Sequence, residues 1–224
     1  MSLRSAFWMA GVVIAVSMLS SCDTVPAIPD ARKPDAPKPS VVTPLPAPVP
    51  TPLPSPVVNK PGSQLDSQTQ KNYQAALAAM QNNQDASAEG LLTSVVKARP
   101  EFVEARTNLG IVLFRLGRYP RAEEELKRVI VDDPKNVIAY NYLGIVYRNN
   151  GQFMQAKDMY TQALNINAGY ANAQLNLGIL YDLYLRDLPK AMESYQRYQK
   201  LVPQEDPVVA KWIADLKRRI ESGK

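Results

Sequence analysis

From residue 69 onward the apolar positions fall three and four residues apart. Leu109, Leu113 and Leu116 form one stripe, and Ala122, Leu126, Val129 and Ile130 form a second. Gly117-Arg118 separates the two, and Pro134 closes the second. Spacing of this kind predicts two amphipathic helices joined by a short turn. The pattern then returns every 34 residues without a gap: Leu109-Gly110, Leu143-Gly144 and Leu177-Gly178; Ala105, Ala139 and Ala173; Ile111, Ile145 and Ile179. A fixed period of this length predicts stacked helical hairpins, because one hairpin alone cannot bury both of its apolar faces. The junctions agree. Gly117 and Gly151 suit a left-handed helix end, Pro120 and Pro189 a first helical turn, and Pro100, Pro134 and Pro203 stop each second helix.

These residues resemble the tetratricopeptide repeat, whose pattern runs Leu-Gly, a Leu or aromatic three residues on, then Ala, an aromatic, Ala and Pro. The copy at 103–136 supplies Leu109, Gly110, Leu113, Gly117, Tyr119, Ala122, Leu126, Val129 and Pro134. The copy at 137–170 supplies Leu143, Gly144, Tyr147, Gly151, Phe153, Ala156, Tyr160 and Ala163, with Ala168 where Pro is usual. The copy at 171–205 keeps Leu177, Gly178, Tyr181, Ala191, Tyr195, Tyr198 and Pro203. It has one residue inserted near Arg186 and no Gly at the turn, so its hairpin is expected to splay. The copy at 69–102 keeps Ala88, Leu92, Val95 and Pro100 but has Ala75-Ala76 for Leu-Gly, which reads as a capping copy. The resemblance implies an all-α fold: an α-solenoid of about four hairpins. Asp206-Pro207 then starts a helix with Val209, Trp212, Ile213, Leu216 and Ile220 at helical spacing, so 206–224 is expected to cover the last apolar face, with Trp212 as a core anchor.

Ahead of the array the character changes. Met1 to Arg4 carries one positive charge, and Ala6 to Leu19 is an apolar run too short for a permanent span. Residues 1–21 therefore read as a signal peptide. Leu19-Ser20-Ser21-Cys22 resembles a bacterial lipobox, which implies acylation of Cys22 and cleavage just before it. In enteric bacteria an Asp after the Cys resembles an inner-membrane retention signal, and Asp23 stands there. Residues 22–68 follow as a tether, and 13 of the chain's 19 prolines lie between 26 and 61. Pro at every second position from Pro44 to Pro56 blocks helix and favours a disordered, extended linker. Fully extended, it would reach ~140 Å.

Composition then removes most chemistry. The chain has no His and one Cys, which leaves no imidazole base, no intrachain disulfide and no Cys or His set for zinc, so no metal or cofactor is expected. Glu123 with Lys127 and Glu124 with Arg128 are expected to pair across a solvated face. Lys217-Arg218-Arg219 closes a helix, where positive charge complements the dipole, and nucleic acid is not an expected partner. Glu104 and Asp182 form a candidate acid and base pair two repeats apart, and an enzyme is not expected.

What remains is binding. The resemblance implies a concave groove lined at the second, fifth, ninth and twelfth positions of each repeat, from which Tyr73, Phe114, Ile138, Asn141, Arg148, Asn172 and Leu175 are the expected partner contacts. Ile111, Ile145 and Ile179 could serve the groove or the packing between repeats. Arrays that grip a C-terminal carboxylate place a Lys, two Asn, a Lys and an Arg at positions that here hold Tyr73, Leu77, Asn108, Ile138 and Tyr142, so an apolar or amphipathic protein segment is the expected ligand. Similar lipid-anchored repeat proteins serve as pilotins for type IV pilus secretins, and others accompany TonB and ExbB-type energy transduction systems. The first family would place the chain at the outer membrane and Asp23 at the inner; both put it on the periplasmic face. A third reading is a lipid-anchored enzyme accessory.

Overall fold

The computed structural model describes residues 66–223, so the expected signal peptide, Cys22 and the expected tether up to residue 65 lie outside the described residues, while Ser67 and Gln68 already open the first helix. Nine α-helices and one π-helical turn follow in order among those residues. They are α1 (Ser67–Gln81), α2 (Asp85–Ala98), α3 (Val103–Arg115), α4 (Tyr119–Asp132), α5 (Val137–Asn149), α6 (Phe153–Ile166), α7 (Ala171–Leu180) with its π extension (Tyr181–Leu185), α8 (Leu188–Leu201) and α9 (Pro207–Glu221). The helices α1, α3, α5 and α7 each pack on the even helix that follows, α9 packs on α8, and α3 touches α5 as α5 touches α7. This is the expected solenoid of four hairpins with a closing helix.

Local chemistry sets the helix starts. The Asp66 carboxylate accepts from the backbone N–H of Gln68 and Thr69 and from the Thr69 hydroxyl at 2.6 Å, which together hold it below the usual carboxylate range. Asn136 caps α5, Asp187 caps α8 and Asp206 caps α9, while Pro120, Pro189 and Pro207 each sit in a first turn. The four hairpin turns share one device. Gly117 and Gly151 have φ of +72° and +76°, and the equivalent places in the first and last hairpins hold Asn83 and Arg186 at +57° and +56°. A left-handed residue at that point reverses the chain, and Gly is only the least strained way to supply it.

The fourth hairpin is closed rather than splayed. Its extra residue is taken up by the π turn at Tyr181–Leu185 and by left-handed Arg186, where the N–H of Asp187 returns to the carbonyl of Tyr181 at 3.0 Å. On either side of the insertion α7 and α8 keep the close approach of the other hairpins. A Cβ placed on Gly178 would lie 2.5 Å from the Tyr195 ring, just as one on Gly144 would lie 2.5 Å from Tyr160 and one on Gly110 2.7 Å from Leu126.

A first core cluster runs from Tyr73 and Met80 through Leu109, Leu126 and Tyr142 to Leu180. A second joins Leu175, Ile179, Tyr195 and Tyr198 to Val209 and Leu216 of α9. Trp212 lies half-buried with its ring centroid 5.5 Å from that of Tyr195, which gives it the expected anchoring place. Arg219 of α9 pairs with buried Asp182 at 2.7 Å, so the basic run contributes one cation to the fold's interior. Glu123–Lys127 and Glu124–Arg128 pair on α4 at 2.6 and 2.7 Å, as their spacing predicts.

Candidate binding groove

The expected groove residues all lie on the first helices of the hairpins, α1, α3, α5 and α7, but burial divides them. Phe114, Ile138 and Asn172 are half-buried and offer surface. Tyr73, Asn141, Arg148 and Leu175 are buried at 7%, 0%, 6% and 3% exposure. They were expected to face a partner directly, and instead they pack between neighbouring repeats. Ile111, Ile145 and Ile179 are buried as well, so the ninth positions serve packing.

Each buried group has a physical reason to be inside. Tyr73 stacks its ring 4.7 Å from Phe102 and accepts a hydrogen bond from Asn108 Nδ2 at 3.1 Å. Burial, reinforced by the charge of Glu104, pushes its phenol up to about 12. Leu175 belongs to the second core cluster with Tyr195 and Leu216. Asn141 accepts from Asn176 Nδ2 at 3.0 Å, and Asn176 in turn accepts from Arg148 at 3.4 Å. A fifth-position residue thus meets the sixth-position residue of the next repeat in Tyr73–Asn108 and in Asn141–Asn176. Asn108 and Asn176 are the polar members that single-repeat reasoning missed. The available signal was a spacing of 35 residues, one repeat plus one.

Two donors in this ladder stay unsatisfied. Asn141 Nδ2 and Arg148 Nε have no hydrogen-bond partner, and Arg148 has no carboxylate within ion-pair distance among the described residues. A guanidinium held in the interior without an acid is costly, since the 3.4 Å bond to Asn176 offsets only part of its desolvation. The nearby Tyr160 hydroxyl is also unpartnered, and burial keeps that phenol well above its ordinary range while the Arg148 charge opposes the shift. The cluster is rich in donors and poor in acceptors.

Around it lie the open apolar members. Phe114 sits 5.7 Å from the Tyr119 ring and 6.0 Å from Tyr142, forming an aromatic patch one repeat before Arg148. Asn172 hydrogen-bonds Tyr170, whose phenol burial raises to about 12. The proposed acid and base do not assemble. Glu104 stands on α3, whereas Asp182 is committed to Arg219. No group of three or more His, Cys, Asp or Glu that could hold a metal occurs among the described residues.

Sequence models of the tetratricopeptide repeat match residues 73–137, 125–158 and 172–204, together just over half of the chain. The chain is a tetratricopeptide-repeat protein. Among solved structures, a MamA protein shares 26% identity over 61% of this chain and 74% of its own, with a TM-score of 0.54. The pilF protein of Pseudomonas aeruginosa shares 20% identity over 70% and 71%, with a TM-score of 0.62, a likeness of fold. The ycf37 protein of Pyropia yezoensis is 43% identical over 58 residues, which are 26% of this chain and 32% of that protein, so the chain spans about a third of this relative's length. Tetratricopeptide scaffolds are generally non-enzymatic, and the arrangement here supports binding of protein partners.

Proposed function

We propose that this chain is a lipid-anchored scaffold on the periplasmic face of a bacterial membrane, where its groove holds a protein segment during assembly of an envelope machine, foremost a pilus secretin. The observation that carries the binding mode is the orphaned donor Arg148 Nε beside the half-open Phe114 and Ile138. An apolar side chain of the partner rests on the Phe114 patch, and a backbone carbonyl accepts from the Arg148 guanidinium as that side chain shifts outward, while Asn141 stays inside. That bond removes the cost of an unsatisfied buried group, so it contributes more than a surface hydrogen bond would. A pull-down from envelope extract at low and high salt tests the groove. Proteins retained by the wild type at both salts should be lost with Phe114→Ala and weakened with Arg148→Ala. Partners released by salt yet kept by both variants would place binding on the outer helices instead.

The anchor has its own test. Labelled palmitate should enter the wild-type chain and not Cys22→Ser, which should remain unprocessed or soluble; incorporation that survives the substitution sinks the lipid anchor. Asp23 favours a second assignment, an accessory of a TonB or ExbB-type system at the inner membrane. Sucrose-gradient fractions separate the two, since a secretin escort travels with outer-membrane porins and a transduction accessory does not.

A further inference from the structure

One slot recurs between the end of each even helix and the hairpin that follows, and the chain fills it differently each time. In the second repeat Arg106 of α3 occupies it, donating to Glu125 of α4 at 2.7 Å and to the carbonyl of Pro100 at 2.7 Å. In the third repeat the matching positions hold Tyr140, Met159 and Pro134, two of them bulky. In the fourth they hold Gln174, Ser194 and Ala168, once the inserted residue is counted. Every one of these is smaller than its counterpart in the second repeat, and the slot stands open. Two adjoining hollows of about 340 and 230 Å³ lie between α6, α7 and α8, with Leu164, Asn165, Gln174 and Arg197 common to both.

The slot has lost its own cation and its own acid, but not its polarity. Gln174 and Ser194 are each 4% exposed, they line the hollows, and neither side chain has a hydrogen-bond partner among the described residues. Neither polar group is sealed from solvent, so the amide and the hydroxyl face the hollow and are open to a group that enters it. The rim states the charge of that group. Lys200 lines it with no ion pair among the described residues, and Arg197 pairs with Glu193, the one acid on the lining, so cations outnumber acids there. Lys190 adds a third cation, shared between Asp187 and the Tyr181 ring. Leu164, Leu177 and Leu201 supply apolar walls.

We infer that this cleft is a second docking site, separate from the groove, and that it takes an acidic side chain of a protein partner together with an adjacent aliphatic one. The carboxylate receives hydrogen bonds from Gln174 and Ser194 and is closed over by Lys200 and Arg197; the aliphatic neighbour lies on the three leucines. None of the lining residues is a groove position, so the two sites can be emptied independently.

The experiment uses the full chain and two fluorescein-labelled probes, Gly-Leu-Glu-Leu-Gly and its counterpart with Lys in place of Glu. By anisotropy at physiological salt the Glu probe should bind at least about tenfold more tightly than the Lys probe. Gln174→Arg with Ser194→Glu rebuilds the Arg and Glu pair of the second repeat inside the slot. It should weaken the Glu probe by about tenfold or more without lowering the melting temperature. Lys200→Glu, at an exposed position that cannot unfold the helix, should do the same, and Arg148→Ala should leave probe binding unchanged whatever it does to the groove. Equal binding of the two probes, or full binding to both cleft variants, overturns the inference. So does concentration-dependent self-association of the wild type that Lys200→Glu abolishes, because the occupant would then be a second copy of this chain.

Discussion

Ending the chain at Glu205, and so removing α9, is expected to lower the melting temperature by about 15 °C. The estimate follows from what α9 covers. Val209 and Leu216 are fully buried, Trp212 and Ile213 are half-buried, and all four pack against Tyr195 and Tyr198 of the last hairpin. At ~1.5–3 kcal/mol for each fully buried aliphatic side chain, with smaller contributions from the others, the loss comes to roughly 5 kcal/mol. A domain of this size has only about 5–15 kcal/mol in total. The Arg219 partner of Asp182 goes as well, leaving Asp182 without its cation. Circular dichroism should also show the last hairpin melting ahead of the rest, since repeats in a stack depend mainly on their neighbours. A single transition at the wild-type temperature would mean that α9 does not close the stack.

The second large effect is expected at Gly144. A Cβ there would lie 2.5 Å from one carbon of the Tyr160 ring and 2.7 Å from another. Tyr160 is wholly buried and cannot retreat. Gly144→Ala should therefore destabilise by about 2 kcal/mol or more, even though alanine is otherwise the better helix residue by up to ~1 kcal/mol. Gly90, in the middle of α2, provides the opposite case. A Cβ there meets nothing within 4 Å, so Gly90→Ala should stabilise by a fraction of a kcal/mol up to about 1. Urea midpoints of the two variants should shift in opposite directions; shifts of the same sign would show that helix propensity, and not the close approach to Tyr160, decides both.

The repeats were legible because their signal is local and recurs. Leu-Gly at a 34-residue spacing marks both the hairpin and the place where an even helix crosses close to an odd one. The groove was only half legible. Phe114 and Ile138 do offer surface, but Asn141, expected at the groove, is buried because Asn176 on the next repeat donates to it. Which residue of one helix meets which of its neighbour depends on the stagger between them, and the periodicity alone leaves that stagger undetermined. The splayed fourth hairpin failed for a related reason. One extra residue looked like a fault in the stack, whereas a single π turn contains it. The open slot at Gln174 needed both kinds of information. The substitutions are visible as Arg106, Glu125 and Pro100 giving way to Gln174, Ser194 and Ala168, but only the tertiary alignment shows that the three meet.

The pairing of each repeat with the next has a kinetic side. Among the described residues the widest side-chain hydrogen bond, from Arg219 to Asp182, joins positions 37 apart, and the ladder bonds join positions 35 apart. No part of the array waits for a distant segment before it can form. Such low contact order favours rapid folding that can begin in any adjacent pair of hairpins and spread both ways. Among the described residues the same wiring confines a local fault: when the final hairpin opens, α1 to α4 lose no hydrogen bond of their own, and they can serve as the template on which it closes again.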